Sequence, residues 1–252
     1  MTPPLLTSCT GGVLTITLNR PDKRNALSQS MIELLHQTLD QADLDHDVRV
    51  VLLRGAGKDF CAGADLDELL ASADRALDEN EASALRLGKL FERMRELPQP
   101  LVALVQGRAL AGGAGLATAC DIVIAGKGAQ LGYPEMQRGF VPAMVMAMLR
   151  RVTGEKLALD LVLTGRVLSA GEALEAGLLS RVVPDADLEQ EGTELGRLLA
   201  GLSPSALALT KKLFYQLDGR SFPEAIALGA RVNAVARSTP DFREAIARFL
   251  QR

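Results

Sequence analysis

Residues 111–116 read AGGAGL and run straight into ATACD and the apolar IVIA of residues 122–125. No side chain in AGGAGL can attack a bond, pass a proton or bind a metal, so its use has to lie in the main chain. The stretch before it, LVALVQG (101–107), has the length and branching of a buried strand. AGGAGL therefore sits where a strand turns into a helix. Such a turn presents bare backbone N–H groups at a helix N-terminus, where aligned peptide dipoles leave partial positive charge. Small residues let an oxygen come close to them. Losing one donor aimed at an oxygen that gains negative charge costs about 10²–10³ in rate.

Outward from this stretch the same order recurs. VRVVLLRG (48–55) reads as a buried strand that enters a glycine loop, and FCAGADL (60–66) follows it as a second small-residue turn before a helix. VLTITL (13–18) alternates like a half-buried strand, and NRPDKRNA (19–26) is rich in turn formers. SQSMIELLHQTLDQADL (28–44) places its apolar residues on one helical face behind Ser28 as N-cap. A further helix over roughly 81–97 stops at the PQP of 98–100. Strands alternating with helices predict α/β layering. From about Leu188 no strand-like run returns, and TELGRLLAGL, SALALTKKLFYQL, FPEAIALGARVNAVA and DFREAIARFL all read as helices. We divide the chain into a core, residues 1–190, and a C-terminal helical region, residues 191–252, that packs on the core or on a neighbouring subunit.

Composition narrows the function. At 252 residues and 48% apolar content the chain can bury one large α/β core. A net charge of −3 and 4% aromatic residues supply neither a phosphate-tracking basic stripe nor a base-stacking platform, so no nucleic-acid partner is expected. Cys9, Cys61 and Cys120 form no CxxC, which favours a reducing cytoplasm over a disulfide framework. The start, MTPPLLTSCTGG, lacks a basic leader, and no apolar run approaches the roughly 18 residues of a membrane span, so no membrane association is expected. AGGAG and GAGKDF (55–60) lack the P-loop frame, and no G-x-S-x-G elbow occurs. His36 and His46 fall on or beside a helix and read as surface residues, so no metal site is expected.

NRPDKRNAL (19–27), FCAGADL, AGGAGLATACDIVIA (111–125), LGYPEMQRGFVPA (131–143), LVLTGRVLSAGEALEAGLLSRVV (161–183) and TKKLF (210–214) stand in the order of the enoyl-CoA hydratase/isomerase, or crotonase, superfamily. The resemblance spans nearly the whole chain. It implies a crotonase-like α/β spiral of β-β-α units, with two roughly perpendicular sheets flanked by helices and a C-terminal helical region for trimerisation. By the same resemblance the substrate is an acyl-CoA, coenzyme A being part of it and no separate cofactor being needed, and the protein is a homotrimer or homohexamer. The backbone N–H groups of Ala64 and Gly112 would hold the thioester oxygen as it becomes an oxyanion. CoA would lie along Lys23, Arg24 and Ala26, and along Ala62, Gly63, Ala64, Asp65 and Leu66. Lys211 or Lys212 would add a cation from a neighbouring subunit.

The proton chemistry is where this sequence departs from the family pattern. Hydration of a 2-enoyl thioester uses two glutamates around one water in many relatives. The position in the P-E pair is filled here by Glu135, whose apolar neighbours would raise its pKa toward neutrality. The other position is Gly115, which the resemblance places against the bound substrate. Hydration remains our first expectation, with isomerisation of a 3-enoyl to a 2-enoyl thioester by Glu135 alone as the alternative. A weakly catalytic CoA-ester binding protein and a scaffold acting through its helices are further alternatives. Asp65 and Asp121 are expected to tie turns or cap helices. Met136, Met144, Met146 and Met148 belong either to a pliable acyl pocket or to plain core. Ala143 offers no carboxylate where family dehalogenases place a nucleophile.

Overall fold

A computed structural model describes residues 3–251. The chain opens with an antiparallel pair, β1 (Leu5–Thr10) and β2 (Val13–Leu18), followed by α1 (Gln29–Leu44) and β3 (Val50–Gly55). Next come α2 (Leu66–Ala71), α3 (Leu77–Glu96), β4 (Leu101–Val105), β5 (Arg108–Leu110), α4 (Gly112–Ala119), β6 (Ile122–Gly126) and β7 (Gln130–Gly132). Two helices, α5 (Ala143–Thr153) and α6 (Glu155–Thr164), lead to β8 (Val167–Ser169), α7 (Ala170–Glu175) and β9 (Arg181–Val183). The chain ends in α8 (Leu188–Ala200), α9 (Pro204–Gln216), α10 (Phe222–Ser238) and α11 (Pro240–Leu250).

These strands form two sheets flanked by helices. The larger runs β1-β2-β3-β4-β6-β9 and is parallel from β2 onward; the smaller runs β5-β7-β8. The continuous apolar runs of β3 and β4 are explained by burial on both faces. Val51, Leu53, Ala103 and Val105 face a core shared with Leu35 and Leu39 of α1, Leu90 and Met94 of α3 and Leu116 of α4. Val50, Leu52, Val102 and Leu104 alternate with them and pack with Ile124 against Leu188, Leu195 and Leu199 of α8. α8 is thus part of the core. The division expected at 190/191 falls inside this helix, because its apolar stripe covers the second sheet face.

Ser28 caps α1 by accepting a hydrogen bond from Met31 N at 3.2 Å. α3 begins at Leu77, a turn earlier than its periodicity predicts, and β1 is a strand the sequence reading did not anticipate. α10 and α11 bury none of their residues, and Phe222, Ile226 and Phe249 are exposed. No helix among the described residues is long and apolar enough to cross a membrane.

Candidate active site

Residues 60–65 change partners midway, and this brings two distant stretches together. Phe60 N donates to Gln106 O at 2.9 Å, Cys61 N to Arg108 O at 3.0 Å, and Leu110 N to Cys61 O at 2.9 Å, so the first part lies along β5. The second part lies along residues 24–27. There Ala62 N donates to Arg24 O at 3.0 Å, Leu27 N to Gly63 O at 2.7 Å and Asp65 N to Leu27 O at 3.0 Å. In a parallel ladder, the residue between two bonded neighbours points its own N–H to the opposite side. That residue is Ala64, bridged to Leu27, and its N–H donates to no protein acceptor among the described residues.

The second turn abuts the first. A Cβ on Gly63 would lie 2.8 Å from the Ala111 Cβ and 3.3 Å from Gly112 N. Gly63 has φ +92°, so this contact needs a residue that is both left-handed and without a side chain. Ala111 itself carries φ 52° and ψ −125°, a sparsely populated conformation for a residue with a Cβ. Its N–H is held by Gly132 O at 2.8 Å. Gly112 opens α4, so its N–H has no acceptor inside the helix, and none elsewhere among the described residues. Ala64 and Gly112, far apart in sequence, therefore bring two unspent donors to abutting turns.

The chain comes to Glu135 from the smaller sheet. Leu110 pairs with Gly132 across β5 and β7, so the chain leaves β7 beside the turn at Ala111 and enters a 3₁₀ turn, Pro134–Arg138. Tyr133 fixes that exit: it is fully buried, its OH lies 3.0 Å from Thr118 Oγ1, and Thr118 in turn donates to Ala114 O at 2.8 Å within α4. Glu135 is 7% exposed, and its Oε2 is buried without a partner among the described residues. Burial raises its pKa above the ordinary 4.5, against smaller downward pulls from its own backbone N–H and from the Arg138 charge.

The loop over 19–26 is held by two of its own polar residues, Arg20 and Asn25. Asn25, fully buried at φ 56°, accepts from Arg20 N at 2.9 Å and donates to Ala56 O at 2.9 Å and Asp59 O at 2.8 Å. The Arg20 guanidinium donates to Ala26 O at 2.7 Å and to Asp65 Oδ2 at 2.8 Å. Their signal was present in the polar NRPDKRN run, but which polar groups turn inward is not written in a local pattern. Asp65 also caps α2, accepting from Asp67 N at 3.1 Å. Its carboxyl is held below the ordinary carboxylate value, chiefly by Arg20. Ala26 is buried, Lys23 and Arg24 are exposed, and Lys23 pairs with Asp67 at 2.9 Å. Ala62 and Ala64 are partly buried and Leu66 is exposed.

Two expectations need correction. Lys211 offers no cation to a ligand: it is 9% exposed, its Nζ lies 2.7 Å from Asp121 Oδ2, and it donates to Met94 O and Gln99 O at 3.0 Å each. Burial lowers its pKa, and Asp121 pulls it back. Asp121 also accepts from Leu101 N at 2.7 Å and Tyr215 OH at 2.8 Å, so this part-buried cluster docks α9 on the core. Lys212, the other candidate, is exposed. Gly115, expected to touch substrate, is buried and spends its N–H on Ala111 O at 3.0 Å. A Cβ there would meet Val145 Cγ1 at 2.5 Å and Phe91 Cζ at 2.9 Å. The space a second glutamate would need is filled by two apolar side chains.

Of the methionines, Met148 is core, Met144 and Met146 are partly buried against it, and Met136 is exposed. His36 Nε2 lies 3.0 Å from Arg86 O, and His46 is exposed. Among the described residues no cluster of three His, Cys, Asp or Glu is placed to hold a metal.

The chain is thus a two-sheet α/β protein with two unspent main-chain donors at abutting turns and a buried carboxyl, Glu135, with an unpartnered oxygen among the described residues. The family model described as Enoyl-CoA hydratase/isomerase matches residues 8–252. A Thermus thermophilus protein named "Putative enoyl-CoA hydratase" is 43% identical over 96% of this chain and 96% of its own length. The 2,3-dehydroadipyl-CoA hydratase of Escherichia coli is 35% identical over 95% of this chain and 92% of its own. The crystal structure of a Mycobacterium smegmatis enoyl-CoA hydratase superposes with a TM-score of 0.94 at 32% identity, covering 99% of this chain and 96% of that one. The chain belongs to the enoyl-CoA hydratase/isomerase family.

Proposed function

We propose that this protein hydrates a 2-enoyl-CoA to a 3-hydroxyacyl-CoA with Glu135 as its one acid/base. The thioester oxygen lies at the Ala64 and Gly112 N–H groups. Glu135 takes a proton from water as the water oxygen bonds to Cβ; the C=C electron pair moves to give an enolate, whose oxygen the two N–H groups stabilise. The same carboxyl then returns the proton to Cα, where the enolate pair collapses. Two abutting donor turns, with a buried, unpartnered Glu135 carboxyl three residues beyond the Gly132 that holds one of them, carry this reading. The hydratase names of the relatives support it.

The closed space at Gly115 favours a second reading, isomerisation of a 3-enoyl-CoA, in which Glu135 moves a proton from Cα to Cγ and needs no second carboxylate. In either case coenzyme A enters as part of the substrate, along Lys23, Arg24, Ala26 and residues 62–66, and the protein works without a separate cofactor. The exposed apolar side chains of α10 and α11 fit a homotrimer or homohexamer, and we place the protein in the cytoplasm. Offering 2-hexenoyl-CoA and 3-hexenoyl-CoA in parallel and analysing the products tests the assignment. A 3-hydroxyacyl product supports hydration; conversion of the 3-enoyl thioester alone sinks it in favour of isomerisation. Glu135→Gln should abolish either turnover while CoA-thioester binding persists.

A further inference from the structure

We infer that Arg20 is a positioning residue for the Ala64 donor, an inference that rests on the oxyanion reading above. The Leu27–Ala64 bridge is a single isolated pairing closed by two backbone hydrogen bonds, those of Leu27 N and Asp65 N. So short a ladder is marginal by itself. Arg20 brackets it. One guanidinium nitrogen donates to the carbonyl of Ala26, the residue before Leu27, and another to the carboxylate of Asp65, the residue after Ala64. The two side chains are 22% and 8% exposed, so this charge-assisted clamp is partly shielded from water.

Both ends of the clamp are themselves fixed. The Arg20 carbonyl accepts from Lys23 N at 2.9 Å and Asn25 N at 2.8 Å, and its N–H is held by buried Asn25. Asp65 gives its other oxygen to the N-terminus of α2. Arg20 therefore ties the 24–27 segment, the 62–65 turn and α2 into one unit, with the Ala64 N–H on the face away from Leu27. A main-chain donor works by being aimed before charge develops, and a misplacement of about 1 Å costs on the order of 10² in rate. Lysine replaces this residue only in part, because one ammonium does not reach two acceptors with the geometry of a planar fork.

The test compares wild type, Arg20→Met, Arg20→Lys and Asp65→Asn. Asp65→Asn keeps an oxygen to cap α2 and removes the charge that Arg20 meets. Each protein is saturated with an aryl-conjugated enoyl-CoA, whose absorbance moves to longer wavelength when its thioester carbonyl is polarised; turnover of crotonyl-CoA and the melting temperature are recorded alongside. The expected result is a shift in wild type that falls by more than half in Arg20→Met and Asp65→Asn, with kcat lowered about 10- to 100-fold. Arg20→Lys should fall between them and wild type. A full shift and full kcat in the folded variants overturns the role of Arg20. Should Arg20→Met not fold, Asp65→Asn decides by the same readings. Absence of the shift in wild type overturns the oxyanion reading itself, and this inference with it.

Discussion

Gly63 and Ala111 touch where no side chain can be inserted: a methyl on Gly63 would come within 2.8 Å of the Ala111 Cβ and 2.9 Å of Leu110 O. Their contact holds the Ala64 and Gly112 donors together. Gly63→Ala adds strain at φ +92°, of about 1–3 kcal/mol, to a steric clash. Turnover of crotonyl-CoA should drop by about 10² or more, the cost of one misplaced donor. Full activity in a folded Gly63→Ala protein would show that the two turns need not abut.

Burial sets the pH behaviour of Glu135. Its pKa in the folded protein lies above 4.5, so the carboxylate that the proposed hydration requires forms only at higher pH than for an exposed glutamate. The acid limb of kcat/KM should be displaced upward accordingly. The same shift makes ionised Glu135 a cost to stability. The advantage of the protonated form is present below pH 4.5 and lost as pH rises through the raised pKa, so Glu135→Gln should gain stability relative to wild type over that interval. Melting curves across the pH range check the sign, and a Gln variant that becomes relatively less stable as pH rises contradicts it.

Gly115→Glu should fail as a route to a two-glutamate enzyme. Phe91 and Val145 occupy the volume, and overpacking of this kind costs about 1–3 kcal/mol. We expect a lower melting temperature and no gain of hydration with crotonyl-CoA. Adding Val145→Ala should return part of the stability, because the 2.5 Å approach is to Val145 Cγ1. A single Gly115→Glu variant that hydrates faster than wild type would mean the wall yields.

Lys211→Met leaves the part-buried Asp121 without its cation, a loss that costs about 1–3 kcal/mol. Denaturant unfolding should show that loss. Lys212→Ala, at an exposed position, should leave stability within about 0.5 kcal/mol of wild type. A Lys211→Met protein of unchanged stability but much weaker CoA-thioester binding would restore the ligand role rejected above.

Much of this architecture is written locally. The apolar runs at 50–55, 101–105 and 122–126 became strands, Ser28 became a cap, and both glycine turns lie where a strand passes into a helix. β1 was invisible because five of its six residues are exposed, which leaves no apolar alternation to read. Arg20, Asn25 and Lys211 were legible as polar residues and illegible as anchors. Their partners, Asp65, Asp59 and Asp121, lie tens of residues away in sequence.

The amino-acid sequence by itself determined the alternation of strands and helices, the two small-residue turns and the apolar neighbours of Glu135, because period, turn chemistry and residue type are local properties; that Gly115 stands where a glutamate is expected was legible only through the family resemblance. Only the tertiary structure decided that residues 62–65 pair with 24–27 and so turn the Ala64 N–H outward, that Phe91 and Val145 close the space at Gly115, that Lys211 points inward, and that α8 belongs to the core. The reason is physical. A buried donor, charge or void must be matched by a partner, and the fold chooses that partner from distant parts of the chain.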